Sequence, residues 1–354
     1  MRNKIFINSR FLTQKITGSQ RFAIEISKQL KKLEPDRFVF LAPKNIIHSD
    51  LAKELNTKVI GFNTGHIWEQ VDLPLYLKRN STPLLLNLVN TSPLYYKNKV
   101  VTIMDMSWKH FPYAVSKKFY LWYKFLTPKI AKKSKLILSI SKFSKKDLMK
   151  ELNINPAKIE IIHCSISDSF KTLNYEKEKI ILSVGSLQPY KNLLSLVRAF
   201  IKLKDENKLN GYKLVLIGGQ NKKALGTVDF SDYFDRNDIE FTGYIPDEKL
   251  VEYYNKASLF VFPSFFEGFG IPPLEAMACG CPCVVSNAAS LPEVCGDAAY
   301  YVNPYDIDDI VNGIEKVLTD DKLRDELVRK GFENIKRFSW ESSAQKVIEI
   351  LKTL

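Results

Sequence analysis

No run of apolar residues in this chain approaches the roughly 18 to 20 needed to cross a bilayer, so no membrane-spanning helix is expected. The opening stretch, MRNKIFINSRF, carries charges where a secretory leader needs an apolar core, so no signal peptide is expected either. Cysteine is scarce: five in 354 residues, an odd number that argues against a disulfide framework and for reduced thiols in a cytoplasm. Three of them, Cys279, Cys281 and Cys283, alternate across a helix end and a buried strand with no histidine nearby. Small buried thiols explain that spacing better than metal ligands do. The four histidines, His48, His66, His110 and His163, show no ligand spacing. After the first predicted strand stands Asn8-Ser9-Arg10 in place of Gly-x-Gly-x-x-Gly, which removes a nicotinamide oxidoreductase from consideration. No Asp-x-Asp lies where it would hold a divalent ion; Asp308-Asp309 and Asp320-Asp321 fall on or between helices near the end.

Acidic residues are also unevenly missing. Residues 1–175 hold 30 Lys/Arg against 12 Asp/Glu, a balance of +18, whereas residues 176–354 hold 22 against 27, or −5. Positions 117–150 contain eleven lysines and one acid, Asp147. Aromatic residues thread the start of this run, KKFYLWYKF from Lys117 to Phe125, on a predicted helix. Basic heads and interfacial rings together suit an anionic membrane surface. The competing reading is a solvated lysine face with its aromatics turned into the core. Nucleic acid ranks lower, because no recognised nucleic-acid module accompanies the charge.

The remainder of the composition, 45% apolar residues over 354, describes a globular chain too long for one comfortable core. Short apolar runs alternate with helical patterns. KIFIN (4–8), RFVFLA, PLLLNLV, KVVTIM, KLILSI (135–140) and KIEIIH (158–163) read as strands. SQRFAIEISKQLKKL (19–33) reads as an amphipathic helix, and Ser141 as the cap of a helix through Met149. A polar stretch from Ser167 to Lys179 is a plausible linker, after which the alternation restarts with KIILSVG (179–185). A helix from Leu193, the strands KLVLIGG and IEFTG, the helical DEKLVEYYNKA and a helix from about Asp306 to Leu318 follow. Such alternation predicts parallel, doubly wound sheets.

The most informative stretch is FPSFFEGFGIPPLEAMACGCPCVVSNAASLPEVCGDAAYYVNP, from Phe262 to Pro304. SLFVF (258–262) is short enough for a buried parallel strand. Gly268 and Gly270 allow close backbone approach, Pro272 and Pro273 suit a helix's first turn, and Glu267 and Glu275 stand eight residues apart around the turn. Strand, glycine turn and helix N-terminus make an anion site. With two carboxylates beside it, the site suits a polyhydroxy ligand carrying negative charge, as a nucleotide sugar does.

EGFGIPPLEAMACGCPCVVSN, followed by LPEV and GDAA, resembles the donor-binding signature of the family 4 glycosyltransferases, retaining enzymes of the GT-B fold. SVGSLQPYKNLLSLVRAF (183–200) is similar to the segment with which that family grips the donor diphosphate, and INSRFLTQKITGSQRFAIEI (7–26) resembles the start of its bacterial polysaccharide branch. The resemblance implies two Rossmann-like domains facing a central cleft: residues 1–170 binding the acceptor, 171–338 binding the nucleotide sugar, and a helix at 339–354 packing back on the first domain, with Ser339 its candidate cap. It assigns Lys191, in a loop after Gly185 and Ser186, to the donor diphosphate, Glu275 to the ribose hydroxyls and Glu267 to the donor sugar. Phe269, Gly270 and Ile271 would offer backbone N–H groups. Many relatives carry an arginine where this chain has Ser186 or Tyr190, and a histidine where it has Met104. Arg21, after the Gly18 turn, is then the compensating cation, and Asp105 the remaining acid that orients the acceptor hydroxyl or the sugar.

The expected activity is transfer of a hexose or deoxyhexose, with retention, to a lipid-linked glycan of bacterial surface polysaccharide such as O-antigen. No metal or other cofactor is expected, and the location expected is cytoplasmic, on the inner face of the plasma membrane. GDP-mannose, dTDP-rhamnose and UDP-hexoses all remain open as donors. A sugar-nucleotide epimerase of the same fold and a non-catalytic glycan-binding relative are the alternatives.

Overall fold

The computed structural model describes residues 4–219 and 229–354. The chain forms two compact units. The first comprises residues up to Met106, Leu121–Cys164 and Phe338–Leu354; the second comprises Ser107–Tyr120 and Ser165–Arg337. The expected first domain, continuous over 1–170, is therefore interrupted: fourteen residues after Met106 pack with the second unit, and the change of unit comes at Cys164–Ser165.

The first unit contains a seven-stranded parallel sheet. Its strands are β1 (Ile5–Asn8), β2 (Phe38–Ala42), β3 (Lys58–Val59), β4 (Leu85–Asn87), β5 (Lys99–Thr102), β6 (Leu136–Ser139) and β7 (Ile159–Ile161). They lie in the order β3-β2-β1-β4-β5-β6-β7. The second unit contains β8 (Glu178–Val184), β9 (Lys213–Ile217), β10 (Ile239–Gly243), β11 (Ala257–Phe262), β12 (Cys283–Ser286) and β13 (Tyr300–Val302). Their order is β10-β9-β8-β11-β12-β13, again parallel throughout. Both orders reverse direction once, at β1/β4 and at β8/β11. Loops diverge at such a switch point and leave a crevice at the carboxyl ends of the strands, the usual ligand position in open α/β sheets.

The strands are apolar on both faces because helices cover both faces; β5, β6 and β12 are buried at every residue. The helix Leu193–Asp205 presents Leu193, Leu196, Val197, Phe200 and Leu203 to the second core, the three-and-four spacing of one helical face. The β3 strand escapes sequence reading because it has two residues, both exposed. Ser141 caps its helix as expected, accepting from the Ser144 amide at 2.9 Å, and that helix runs Lys142–Leu152. The last helix, Trp340–Lys352, is capped by Ser339 and belongs to the first unit. There it packs on the helix Gly18–Leu33, with Trp340 edge-on to Phe22 at 6.0 Å and Glu341 3.5 Å from Lys32. All five cysteines are buried and unpaired. Burial pushes the Cys279 and Cys281 thiols up to about 12. Among the described residues no helix is long and apolar enough to cross a membrane.

Lys99, the first residue of β5, is fully buried, and its ammonium donates to the Pro93 carbonyl. Burial, reinforced by Lys133, pulls its pKa down to about 7 against the attraction of Glu69. Above that value the folded protein has released a proton that the unfolded chain still holds, so stability rises with pH from about 7 towards the ordinary lysine value. Lys99→Met should therefore stabilise the fold near neutral pH by on the order of 1–3 kcal/mol and remove that part of the slope. Chemical denaturation of both proteins across this pH range checks it; parallel stability curves would refute it.

Candidate functional site

The loops at the β8/β11 switch point carry most of the residues singled out above. Lys191 ends a short 3-10 turn, Pro189–Lys191, after β8, and Glu267 lies in the turn after β11. Seventy-six positions apart in sequence, their side chains meet: Nζ donates to Oε1 at 2.6 Å, with both side chains largely out of water. The lysine also lies 5.5 Å from the Tyr190 ring centroid and 5.4 Å from that of Phe262. An ammonium so placed is screened little and is already directed into the turn.

The turn itself is built by glycine geometry. Gly270 has φ +103°, and a Cβ there would sit 2.6 Å from Leu291 Cδ2. It is the N-cap of the helix Ile271–Ala278, whose first turn contains Pro272 and Pro273 as expected. Gly268, Phe269 and Gly270 are buried and Ile271 is half-buried. Ser290, which the sequence reading did not single out, clamps the turn by donating from Oγ to the Glu267 and Phe269 carbonyls at 2.9 and 2.7 Å. Asn192, at φ +57°, donates to the carbonyls of Pro263 and Pro304 and ties the Lys191 loop to the strand that precedes Glu267.

Gly185 lies under the aliphatic part of Lys191; a Cβ there would be 3.7 Å from Cδ. The tighter constraint is Gly218, after β9: its Cβ would fall 1.9 Å from the Gly185 carbonyl oxygen. The dipeptide Gly218-Gly219 at a strand end was the available signal for this approach. Ser186, half-buried, accepts from the Gln188 amide through its carbonyl.

Glu275 is on the helix after the turn, 6% exposed, and its Oε2 accepts from the Tyr254 hydroxyl at 3.0 Å. Burial, then the Glu275 charge, raises the Tyr254 hydroxyl well above its usual value, so the phenol stays a donor. The segment Ser107–Tyr120 adds an aromatic cluster to these loops. Phe111 packs between Tyr190 (5.3 Å) and Phe266 (5.9 Å), the neighbours of Lys191 and Glu267, and His110 packs on Phe266 at 5.1 Å.

Gly18, Arg21 and Asp105 belong to the first unit. Gly18 opens a helix capped by Thr17, and a Cβ there would meet nothing within 4 Å, so the close approach expected of it is not imposed by the protein itself. Arg21, on that helix, lines a cavity of about 500 Å³ together with Glu25, Lys28 and Asp50. Asp105 follows β5 and is half-buried; its charge adds to the burial that raises the Tyr123 hydroxyl.

The β1/β4 switch point holds a second buried charge pair that the sequence reading missed. Glu69, fully buried, receives Arg10 Nε at 3.1 Å, Asn8 Nδ2 at 3.1 Å and Thr91 Oγ1 at 2.8 Å, all on Oε2. Burial acts to raise this carboxyl; Arg10 first, then His66 and Thr91, overcome it and hold it well below the usual carboxylate range. The available signal was an acid among Ile67, Trp68 and Val71 in an acid-poor half of the chain.

Residues 165–334 match the family model described as glycosyl transferases group 1. The O-antigen chain mannosyltransferase RfbU of Salmonella typhimurium is 30% identical over 270 residues, covering 75% of this chain and 74% of that protein. The O-antigen chain mannosyltransferase B of Escherichia coli is 34% identical over 234 residues, 62% of this chain; the match spans 61% of that relative's length. Among solved structures, Anabaena Alr3699/HepE in complex with UDP superposes with a TM-score of 0.76 at 16% identity, over the whole of both chains, a likeness of fold alone. Two Rossmann-like units of the GT-B type, the matched model and the RfbU relationship place the chain plainly: it belongs to the group 1 glycosyl transferases, of the family 4 type.

Proposed function

We propose that the chain is a retaining, metal-independent glycosyltransferase that moves a sugar from a nucleotide-diphosphate donor to a lipid-linked glycan at an anionic membrane surface. The observation that carries this reading is the Lys191–Glu267 contact beside the N-terminus of Ile271–Ala278. A diphosphate entering there would meet an ammonium, the backbone of the turn at Phe269, Gly270 and Ile271, and the positive end of a helix dipole. Lys191 would exchange Glu267 for phosphate oxygens and stabilise the leaving group as its charge grows, the contribution that dominates in such sites. Glu267, released, would accept hydrogen bonds from the donor sugar. Glu275, which accepts from Tyr254, would receive the vicinal ribose hydroxyls, a charged and geometrically selective contact. Gly185 and Ser186 precede Lys191 on the same loop. On a front-face path the departing phosphate oxygen takes the acceptor proton, so no separate base is required.

The mannosyltransferase relatives favour a mannosyl donor and O-antigen as the product. The membrane half of the proposal is supported by the helix Lys117–Lys133. Its core face is Leu126, Ile130 and Ala131, yet Phe119, Leu121 and Phe125 are exposed together with Lys117, Lys118, Lys124, Lys129, Lys132 and Lys133. Lysines and rings are interleaved there: Lys129 Nζ is 3.2 Å from the Phe125 centroid, and Lys133 is 4.7 Å from that of the exposed Tyr95. Exposed rings beside ammonium groups are what anionic lipid would engage. Such an enzyme works at the inner, cytoplasmic face of the plasma membrane.

A thermal-shift panel of GDP-mannose, dTDP-rhamnose and UDP-hexoses should give a rise in Tm with the true donor. Glu275→Gln should weaken that binding by about 1.5–3 kcal/mol; unchanged affinity would sink the assignment of Glu275. Acceptor-dependent release of the nucleoside diphosphate should persist in EDTA, whereas loss that Mg²⁺ restores would show a metal requirement. In flotation assays the protein should rise with anionic vesicles and not with neutral ones, and Lys124→Glu with Lys129→Glu should reduce that binding. Equal binding to both vesicle types would remove the electrostatic argument.

A further inference from the structure

The β1/β4 switch point of the first unit is furnished as thoroughly as the β8/β11 one, and no role above accounts for it. Glu69 and Arg10 are both charged and almost completely buried, at 0% and 5% exposure. An ion pair in that position seldom stabilises a fold relative to apolar residues, so its value lies in what it orients. Three donors saturate Oε2 of Glu69. Oε1 takes Gln70 Nε2 at 3.2 Å and stands 3.6 Å from Nδ1 of His66. The backbone is adapted to this. Residues Trp68–Asp72 form a π-helical turn, a rare local rearrangement that clusters at functional positions, and Gly65 ahead of it has φ +58°. Trp68 anchors the turn from the core side, donating Nε1–H to the Ile60 carbonyl at 2.8 Å.

His66 itself is 43% exposed and lies edge-on to Trp122, with ring centroids 5.4 Å apart. Tyr123, the next residue, lies in the combined field of Arg10, Glu69 and Asp105. Imidazole and indole thus stand together beside the buried Glu69 carboxylate. With Nδ1 directed at Glu69, Nε2 is the nitrogen left to a ligand. A hydrogen-bonding nitrogen beside an indole suits a pyranose, whose hydroxyls hydrogen-bond and whose C–H groups pack on aromatic faces.

We propose that His66 is an acceptor-binding residue that grips a hydroxyl of the acceptor glycan, and that Glu69 and Arg10 are positioning residues acting through it. This rests on the glycosyltransferase reading. It also gives the first unit a polar contact that Met104, buried and apolar, does not provide.

The test uses the whole chain, the donor found by thermal shift, and octyl mannoside as acceptor probe. His66→Ala should raise the acceptor KM about ten-fold or more, the loss of one hydrogen bond to a well-fixed partner, with donor binding and Tm unchanged. His66→Gln, which keeps a hydrogen-bonding end, should recover part of the loss. Glu69→Gln should raise the same KM, and the double variant should be no worse than His66→Ala alone, because the carboxylate acts only through the ring. Should Glu69→Gln fail to fold, the comparison of His66→Ala with His66→Gln decides alone. An acceptor KM within two-fold of wild type in His66→Ala overturns the assignment while leaving the donor reading intact. A wild-type chain that binds donor but transfers to no hydroxyl overturns both.

Discussion

Opposite charges brought face to face at the carboxyl ends of parallel strands are the feature on which the rest of this protein depends. In the second unit the pair is Lys191 and Glu267, 2.6 Å apart and mostly shielded from water. Desolvating both groups is costly, and the attraction repays it only where geometry is held tightly. The surrounding structure provides that hold: Gly218 against the Gly185 carbonyl, Asn192 across two loops, Ser290 beneath the glycine turn, and Phe111 wedged between the aromatic neighbours of both charges. A cation kept ready by an internal carboxylate needs little rearrangement when an anionic ligand replaces that carboxylate. Pre-organisation of this kind is how a site stabilises developing charge.

The same design recurs in the first unit with deeper burial. Arg10 and Glu69 are locked by Asn8, Asn87 and Thr91, so the network uses side chains at the ends of β1 and β4 themselves. The two pairs differ in accessibility. Lys191 and Glu267 retain some exposure, whereas Glu69 has none and lies beside the exposed His66 and the half-buried Gln70. Glu275 is intermediate, nearly buried but with one oxygen assigned to Tyr254.

Much of the architecture was legible beforehand because parallel strands write themselves as short, unbroken apolar runs. KIFIN, KVVTIM, KLILSI, KLVLIGG and SLFVF all became strands within a residue or two of their expected ends. Caps at Ser141 and Ser339 were readable for a local reason, since a cap bonds within three residues of itself. The glycine turn and both glutamates around it were visible because the motif is contiguous. Residues acting from a distance were not. Ser290 bonds to Glu267 from 23 positions away, Tyr254 reaches Glu275 from 21, and Asn8 meets Glu69 from 61. Nor did hydropathy indicate that fourteen residues following Met106 would pack with the second unit.

The sequence by itself determined the class of fold, the order of its main elements and the glycine turn ahead of the helix Ile271–Ala278, because each depends on periodicity or on residues adjacent in the chain. Tertiary structure decided which charges meet. Lys191 is an ordinary lysine until β8 and β11 become neighbours, and Glu69 is an ordinary acid until the π-helical turn directs it inward. The physical reason is that Coulomb and hydrogen-bond energies depend on distance and on exclusion of water. Both quantities exist only once the sheets have closed.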